Sequence, residues 1–153
     1  MKYYLFAAFA LLFFSQCKKN EPEIVVCFGE MMPFALDEPF TVAPDIFYEE
    51  NNSGTPLTLR LDRIVSDSRC PSDANCVWEG RVEVALNLQQ DGKFRHDTLS
   101  LPGLIDPDYP VRDTAFFQGY QIILLAVNPY PNSANAGNIP QSDYRLEMRV
   151  NKN

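Results

Sequence analysis

Short runs in which apolar and polar residues alternate constrain the fold of this chain more than any other feature. In residues 82–88 every second residue is Val or Leu, and the positions between them include Glu83 and Asn87. Residues 57–61 and 144–150 alternate in the same way, and the phase of the first run slips at residues 63–65, as a β-bulge would make it do. A period of two residues is typical of a strand with one buried face.

The remaining segments favour the same fold class. An Asp91-Gly92 pair between two alternating runs predicts a hairpin. Residues 120–128 are apolar at both parities, which predicts a strand in the middle of a sheet that is covered on both sides. Residues 34–42, interrupted by Pro39, and residues 94–101 complete the set. The twelve prolines and seven glycines fall mostly between the runs, and no segment of ten or more residues after the first sixteen keeps a helical period. Residues 31–153 are therefore predicted to form one all-β domain, an antiparallel β-sandwich of about six or seven strands, immunoglobulin-like in general architecture.

The first sixteen residues have a different composition. A single lysine is followed by twelve apolar or aromatic residues, 3–14, too few to span a membrane permanently. Cys17 then precedes a polar run, and this arrangement resembles a bacterial lipobox, with Phe14 where leucine is usual and Gln16 where a small residue is usual. The resemblance implies a lipoprotein signal peptide over 1–16, cleavage before Cys17 and a covalent diacylglyceryl lipid on its sulfur. A plain secreted protein and an uncleaved tether are the alternatives.

Residues 17–30 then form the lipidated N-terminus and a tether, within which 24–28 is either a first strand or linker. Cys27 is either a small buried residue, a free thiol or, with an unmodified Cys17, half of a second bridge. The expected location is the bacterial cell envelope, anchored to a membrane and facing the periplasm or the cell surface. Residues 17–153 hold 12 of the 13 Lys and Arg residues and all 20 acids, a net charge of −8. Such a charge disfavours nucleic acid as a partner, and suits cations or a basic partner.

Residues 67–80, DSRCPSDANCVWEG, contain two cysteines and the chain's one tryptophan. Outside the cytoplasm, two cysteines this close are expected to form a disulfide, Cys70 to Cys76, around a turn that begins at Pro71. Cys76, Trp78 and Gly80 have the parity of the apolar residues 82–88. Trp78 is therefore predicted to point into the core, with Gly80 leaving room beside it or marking a local kink.

This stretch also carries a resemblance to a family. Arg-Cys-Pro, a few variable residues and Cys-x-Trp-x-Gly leading into a strand resemble a signature of uncharacterised bacterial envelope lipoproteins and secreted proteins. The similarity extends from about residue 34 to 150 and includes VNPYP (127–131) and DYRLEMRV (143–150). It implies a β-sandwich with a disulfide and brings no established activity.

Metal and catalytic chemistry find little support in the sequence. One histidine, His96, cannot complete a structural zinc or a blue-copper site with the cysteines present, and no cofactor is expected. The spacing of an EF-hand loop is missing, which leaves Asp67, Asp73 and Glu79 as weak candidates for a looser calcium site. A hydrolase would have to use His96, and no Gly-x-Ser-x-Gly motif is present.

Two long loops, residues 45–56 and 129–141, are the candidate binding surface, with Tyr48, Tyr109 and Tyr130 as aromatic contacts. The sequence therefore predicts a lipid-anchored envelope protein that is not an enzyme and acts as a binding or structural module. Its partner would be an envelope protein or a glycan. A calcium-dependent adhesion or scaffold module and, less favoured, a hydrolase based on His96 are the alternatives.

Overall fold

The computed structural model describes residues 18–20, 24–26, 31–34, 36, 38–44, 46–50, 55–103 and 112–152. Within these ranges the chain is mostly strand and contains no α-helix, only a 3-10 turn at Gln141–Asp143. The strands are β1 (Lys18–Asn20), β2 (Ile24–Val26), β3 (Met31–Phe34), β4 (Pro39–Val42), β5 (Phe47–Glu50), β6 (Thr58–Asp67), β7 (Arg81–Gln90), β8 (Lys93–Pro102), β9 (Thr114–Phe117), β10 (Tyr120–Asn128) and β11 (Arg145–Lys152).

The strands form two main sheets. One sheet has the order β4-β11-β10-β9 and the other β3-β5-β6-β7-β8, while β1 and β2 pair only with each other. Every pair is antiparallel except β3 with β5, which run parallel. Apolar residues of both main sheets share one buried core, so the predicted all-β sandwich is confirmed. The most deeply buried large side chains are Leu57, Leu59, Leu61, Leu86, Leu88, Leu99, Tyr120, Ile122, Leu124, Leu146 and Met148.

The alternating runs lie as predicted. Val82, Val84, Leu86 and Leu88 are buried on β7, and the pairing of β6 with β7 shifts register between Leu61 and Arg63 and again between Ile64 and Ser66. The first shift is the predicted bulge, and it lets Ile64 return to the core. The hairpin between β7 and β8 turns at Asp91 and Gly92, both with positive φ, as a two-residue hairpin turn of this type requires.

Three predictions about the strands need correction. The described strands outnumber the six or seven expected: β1 and β9 lie in segments for which no strand was predicted, the predicted loop 45–56 contains β5, and residues 34–42 are divided between β3 and β4. These two strands belong to different sheets, and Pro39 begins β4 at the edge of its sheet, where the missing N–H costs least. Strand β10 is central, but only one of its faces is fully buried: Leu125, at a register shift opposite β11, is 37% exposed.

The predicted signal peptide, Cys17 and Cys27 lie outside the described residues, as does Tyr109. Of the predicted tether, the structure describes only β1 and β2.

Candidate functional site

The loop between β6 and β7, residues 70–79, is called the disulfide loop below. Cys70 and Cys76 are bonded, as predicted, with 5.9 Å between their Cα atoms. Within the ring, the N–H of Ala74 donates to the carbonyl of Pro71 (3.0 Å), which closes a turn. At the base, the N–H of Cys70 donates to the carbonyl of Glu79 at 2.9 Å. The disulfide loop is thus fixed by one covalent bond and by backbone pairing of its two ends.

Removing the bridge should weaken the whole domain, because the bond restricts the unfolded chain. For a ring of seven residues, the loop-entropy relation gives about 2.4 kcal/mol. We expect Cys70→Ser with Cys76→Ser to lower the free energy of unfolding by about this amount, measured by urea titration without reductant. If the double variant unfolds at the same urea concentration as the parent, the bridge contributes no net stability.

Gly80 joins the disulfide loop to β7 through a left-handed conformation, with φ of +63°. A Cβ atom placed on it would lie 1.8 Å from the carbonyl oxygen of Ser68 on the opposite side of the ribbon. The carbonyl of Gly80 also accepts a hydrogen bond from the N–H of Gly103 at 3.0 Å. Both the φ angle and the close approach require glycine here, so the predicted kink is present.

The prediction that Trp78 points into the core is wrong. Trp78 is 82% exposed and its neighbour Val77 is 88% exposed. The parity argument fails because β7 begins only at Arg81, and the left-handed Gly80 interrupts the extended chain on which parity depends. Two consecutive apolar residues are therefore exposed to solvent on a loop that a disulfide closes.

The disulfide loop packs against the second predicted loop, residues 129–141. The N–H of Ser72 donates to the carbonyl of Pro131 at 2.9 Å. The N–H and hydroxyl of Ser133 both donate to one Asp73 oxygen, at 2.7 and 2.8 Å, and these bonds lower the pKa of Asp73. We call the combined surface, residues 70–79 with 129–141, the loop end.

A groove of about 400 Å³ lies in the loop end. Its lining consists of Cys70, Pro71, Ser72, Ala74, Asn75, Cys76, Glu79 and Tyr130. Glu79 contributes a buried oxygen, Oε2, that has no hydrogen-bond partner. A buried acceptor of this kind is costly to leave unpaired, and because Oε2 is not exposed, the Glu79 side chain would have to turn for a donor in the groove to reach it.

An ion pair lies next to the groove. Asp67 and Arg69 have side chains only 8% and 4% exposed, and Arg69 donates to both Asp67 oxygens, from Nε at 2.9 Å and from Nη2 at 2.7 Å. Arg69 also donates to the carbonyls of Val127 (2.7 Å) and Pro129 (3.1 Å), and its guanidinium lies 4.7 Å from the ring centre of Tyr130. One arginine therefore ties the base of the disulfide loop to the start of the second loop.

Tyr144 completes this cluster by donating its hydroxyl proton to Asp67 Oδ2 at 3.1 Å. Burial, reinforced by the negative charge of Asp67, raises the pKa of Tyr144 to about 12 from the ordinary value of 10.0. The folded state therefore keeps the neutral phenol at pH values where the unfolded chain ionises. The contribution of Tyr144 to stability is complete below pH 10 and is lost as the pH rises from there to about 12.

We therefore expect the free energy of unfolding to fall across this alkaline range, and to fall less in Tyr144→Phe. That variant keeps the aromatic ring and removes the ionising group. Urea titrations of both proteins at several pH values on either side of 10 measure the difference. Parallel pH profiles for the parent and the variant would contradict the assignment.

The other predicted site residues do not converge. Asp67 is paired with Arg69, Asp73 is bonded to Ser133, and Glu79 faces the groove. In the described part of the chain, no three His, Cys, Asp or Glu side chains are grouped so that they could hold a metal ion. His96 is exposed on β8, and its Nδ1 bonds to the amide oxygen of Asn87 rather than to an acid.

The predicted tyrosine contacts have different positions. Tyr48 is buried at 6% exposure, and its hydroxyl accepts the N–H of Ala43 at 2.9 Å, so it is a core residue. Tyr130 is half-buried in the groove and donates to the carbonyl of Gly103 at 3.0 Å. Sequence patterns missed Arg69 and the groove, since both depend on contacts between residues that are fifty to sixty positions apart in the chain.

Comparisons with protein-family models, with curated proteins and with solved structures gave no match to this chain. Among the residues that the structure describes, no helix is long and apolar enough to cross a membrane.

Proposed function

We propose that the chain is a lipid-anchored protein of the bacterial cell envelope whose β-sandwich acts as a non-catalytic binding module through the loop end. The observation that carries the proposal is the 82% exposure of Trp78 on a loop fixed by a disulfide. Tryptophan is the side chain most enriched among residues that dominate binding energy, and it contributes large contact area at little entropic cost. Val77, 88% exposed beside it, extends the apolar contact.

The rigidity of the loop end supports a binding role. The disulfide, the Cys70 to Glu79 backbone bond and the bonds from Ser72 and Ser133 hold the groove and the two exposed side chains in one arrangement. A preformed surface loses little conformational entropy when it binds, which leaves more of the contact energy for affinity. Exposed loops on a rigid sandwich are the usual place for such sites.

The proposed location has support of two kinds. The Cys70–Cys76 disulfide is typical of proteins that work outside the cytoplasm. The apolar run before Cys17, and the polar run after it, supply the pattern for lipid attachment at that cysteine. Two or more acyl chains would hold the domain stably at a membrane surface.

The binding role can be tested by crosslinking in the native envelope. We expect Trp78→Ala to reduce the specific capture of partners by roughly thirtyfold, the ratio for a residue that contributes about 2 kcal/mol. Phe94→Ala is the matched control, because Phe94 is also exposed, at 70%, but lies on β8 beside the hairpin turn. Because Trp78 is exposed, its replacement should leave the melting temperature nearly unchanged. Equal capture by Trp78→Ala and the parent would overturn the binding role.

Attachment is tested separately by metabolic labelling with palmitate. The parent should incorporate the label and remain in the membrane fraction, whereas Cys17→Ala should lose both properties. Cys27→Ala is the control for a modified cysteine elsewhere in the tether. If the parent protein stays unlabelled, the proposed lipid anchor is overturned. The binding role would then depend on the capture experiment alone.

A further inference from the structure

The charged side chains of the loop end are all acidic. Residues 70–79 contain Asp73 and Glu79 and no basic residue, and residues 129–141 contain no charged residue at all. The nearest described ion pair, Asp67 with Arg69, is neutral as a unit. The loop end therefore presents two carboxylates with no compensating cation of its own, on a chain whose residues 17–153 carry a net charge of −8.

The Glu79 carboxylate is the group in the groove that has neither a hydrogen-bond donor for Oε2 nor an ion-pair partner among the described residues. Its Oε2 atom is buried, and no described Lys or Arg lies within salt-bridge distance of this side chain. Once the Glu79 side chain turns to expose Oε2 to the groove, a cationic donor would satisfy both deficits, since it brings the proton for the hydrogen bond and the opposite charge.

Tyr130, which lines the groove with Glu79, and Trp78, which directly precedes Glu79 in the sequence, favour one kind of cation. Tyr130 lines the groove, and Val77 and Trp78 stand in sequence between two lining residues, Cys76 and Glu79. Aromatic faces bind guanidinium groups by stacking and by cation-π attraction, and a guanidinium can also donate two parallel hydrogen bonds to a carboxylate. The protein's own Arg69 has this environment, with Asp67 as its carboxylate and Tyr130 as its ring.

We propose that the groove of the loop end binds the guanidinium of an arginine side chain on a protein partner, with Glu79 as its carboxylate acceptor and Trp78 as the neighbouring apolar contact. This inference rests on the proposed binding role of the loop end and adds the chemical class of the partner. The acidic surface around the groove would attract a basic partner over a longer range and increase its association rate at low salt.

Peptide binding can be measured by the fluorescence of Trp78, because Trp78 is the chain's one tryptophan and lies in the loop end. The probes are an acetylated and amidated alanine pentapeptide with a central arginine and the same peptide with citrulline, which keeps the shape and loses the charge. We expect the arginine peptide to change Trp78 fluorescence with a Kd on the order of 1 mM at low salt, and the citrulline peptide to bind roughly tenfold more weakly.

Two variants identify the acceptor. Glu79→Gln keeps the size of the side chain and should abolish the preference for arginine over citrulline. Asp91→Asn is the control, since it removes the same charge in the hairpin turn, at the other end of β7 and roughly 30 Å away along the strand. It should keep the preference, apart from a small reduction that salt screens.

The outcomes separate this proposal from the binding role itself. An equal response to both peptides, or an undiminished preference in Glu79→Gln, would overturn the arginine proposal, while capture that depends on Trp78 would still support a binding module. If the parent protein shows neither a response to the arginine peptide nor capture that depends on Trp78, both proposals are overturned together. A Trp78 response to vesicles of phosphatidylethanolamine, with none to the arginine peptide, would assign the surface to a membrane and overturn the arginine proposal.

Discussion

Gly80→Ala is expected to lower the free energy of unfolding by about 3–5 kcal/mol, one of the largest effects of any single substitution in the described chain. A left-handed conformation costs a residue with a Cβ atom about 1–2 kcal/mol. The remainder comes from the contact between the new Cβ and the carbonyl oxygen of Ser68, which lies 1.8 Å away. That oxygen belongs to the backbone and cannot move aside as the end of a flexible side chain can.

Relief of this contact would disturb the ribbon that carries the disulfide loop. Ser68 donates its N–H to the carbonyl of Arg81 at 2.8 Å, and Gly80 accepts from Gly103 at 3.0 Å, so both sides are held by hydrogen bonds. Separating the two sides lengthens these bonds, each of which contributes about 1 kcal/mol. Trp78 and Glu79 would shift with them, since they lie directly before Gly80.

Gly92→Ala is the matched control for this prediction. Gly92 also has a positive φ, +72°, but no atom lies within 4 Å of a Cβ placed there. Gly92→Ala should therefore lower the free energy of unfolding only by the conformational cost of the left-handed backbone, about 1–2 kcal/mol. Urea titrations of the two variants and the parent give the comparison, and equal losses at the two glycines would show that the contact with Ser68 is relieved without cost.

The same glycine explains where sequence reasoning succeeded and where it failed. Parity predicted the buried faces of β6 and β7 and the bulge after Leu61, and the Asp-Gly pair predicted the hairpin at Asp91 and Gly92, because each of these features depends on neighbouring residues only. Parity placed Trp78 incorrectly because a single left-handed residue, Gly80, separates it from the strand. The phase of an alternating pattern carries information only as far as the chain stays extended.

Other failures arise from contacts that no local pattern encodes. Strand β5 lies in a segment, residues 45–56, whose polar second half, EENNSG, resembles a loop, and its pairing with β3 and β6 is what makes it a strand. The Cys70–Cys76 bond was predictable from its short spacing and the export pattern. The groove was not, since Glu79 and Tyr130 are about fifty residues apart and are brought together by the ends of β7 and β10.

The buried pair of Asp67 and Arg69 leads to the second large prediction. Arg69→Met is expected to lower the free energy of unfolding by about 3–5 kcal/mol, because it leaves the Asp67 carboxylate buried without its cation. The carbonyls of Val127 and Pro129 lose their donor at the same time. Arg63→Met is the control: its ion pair with Asp62 has an arginine side chain 64% exposed, and such surface pairs contribute about 0–1 kcal/mol.

Arg69→Lys separates the charge from the geometry of the pair and serves if Arg69→Met fails to fold. Lysine keeps the positive charge but offers one nitrogen in place of the guanidinium, so it cannot reach both Asp67 oxygens and the two carbonyls together. We expect the loss of stability to lie between the losses for Arg63→Met and Arg69→Met. We also expect faster proteolysis of residues 129–141 in the folded protein, because the start of that loop would lose its hydrogen bonds to residue 69. Urea titration and limited proteolysis measure the two effects. If Arg69→Lys matches the parent in both stability and proteolysis, the positive charge alone stabilises the loop end. The hydrogen bonds from the guanidinium to the carbonyls of Val127 and Pro129 would then add nothing.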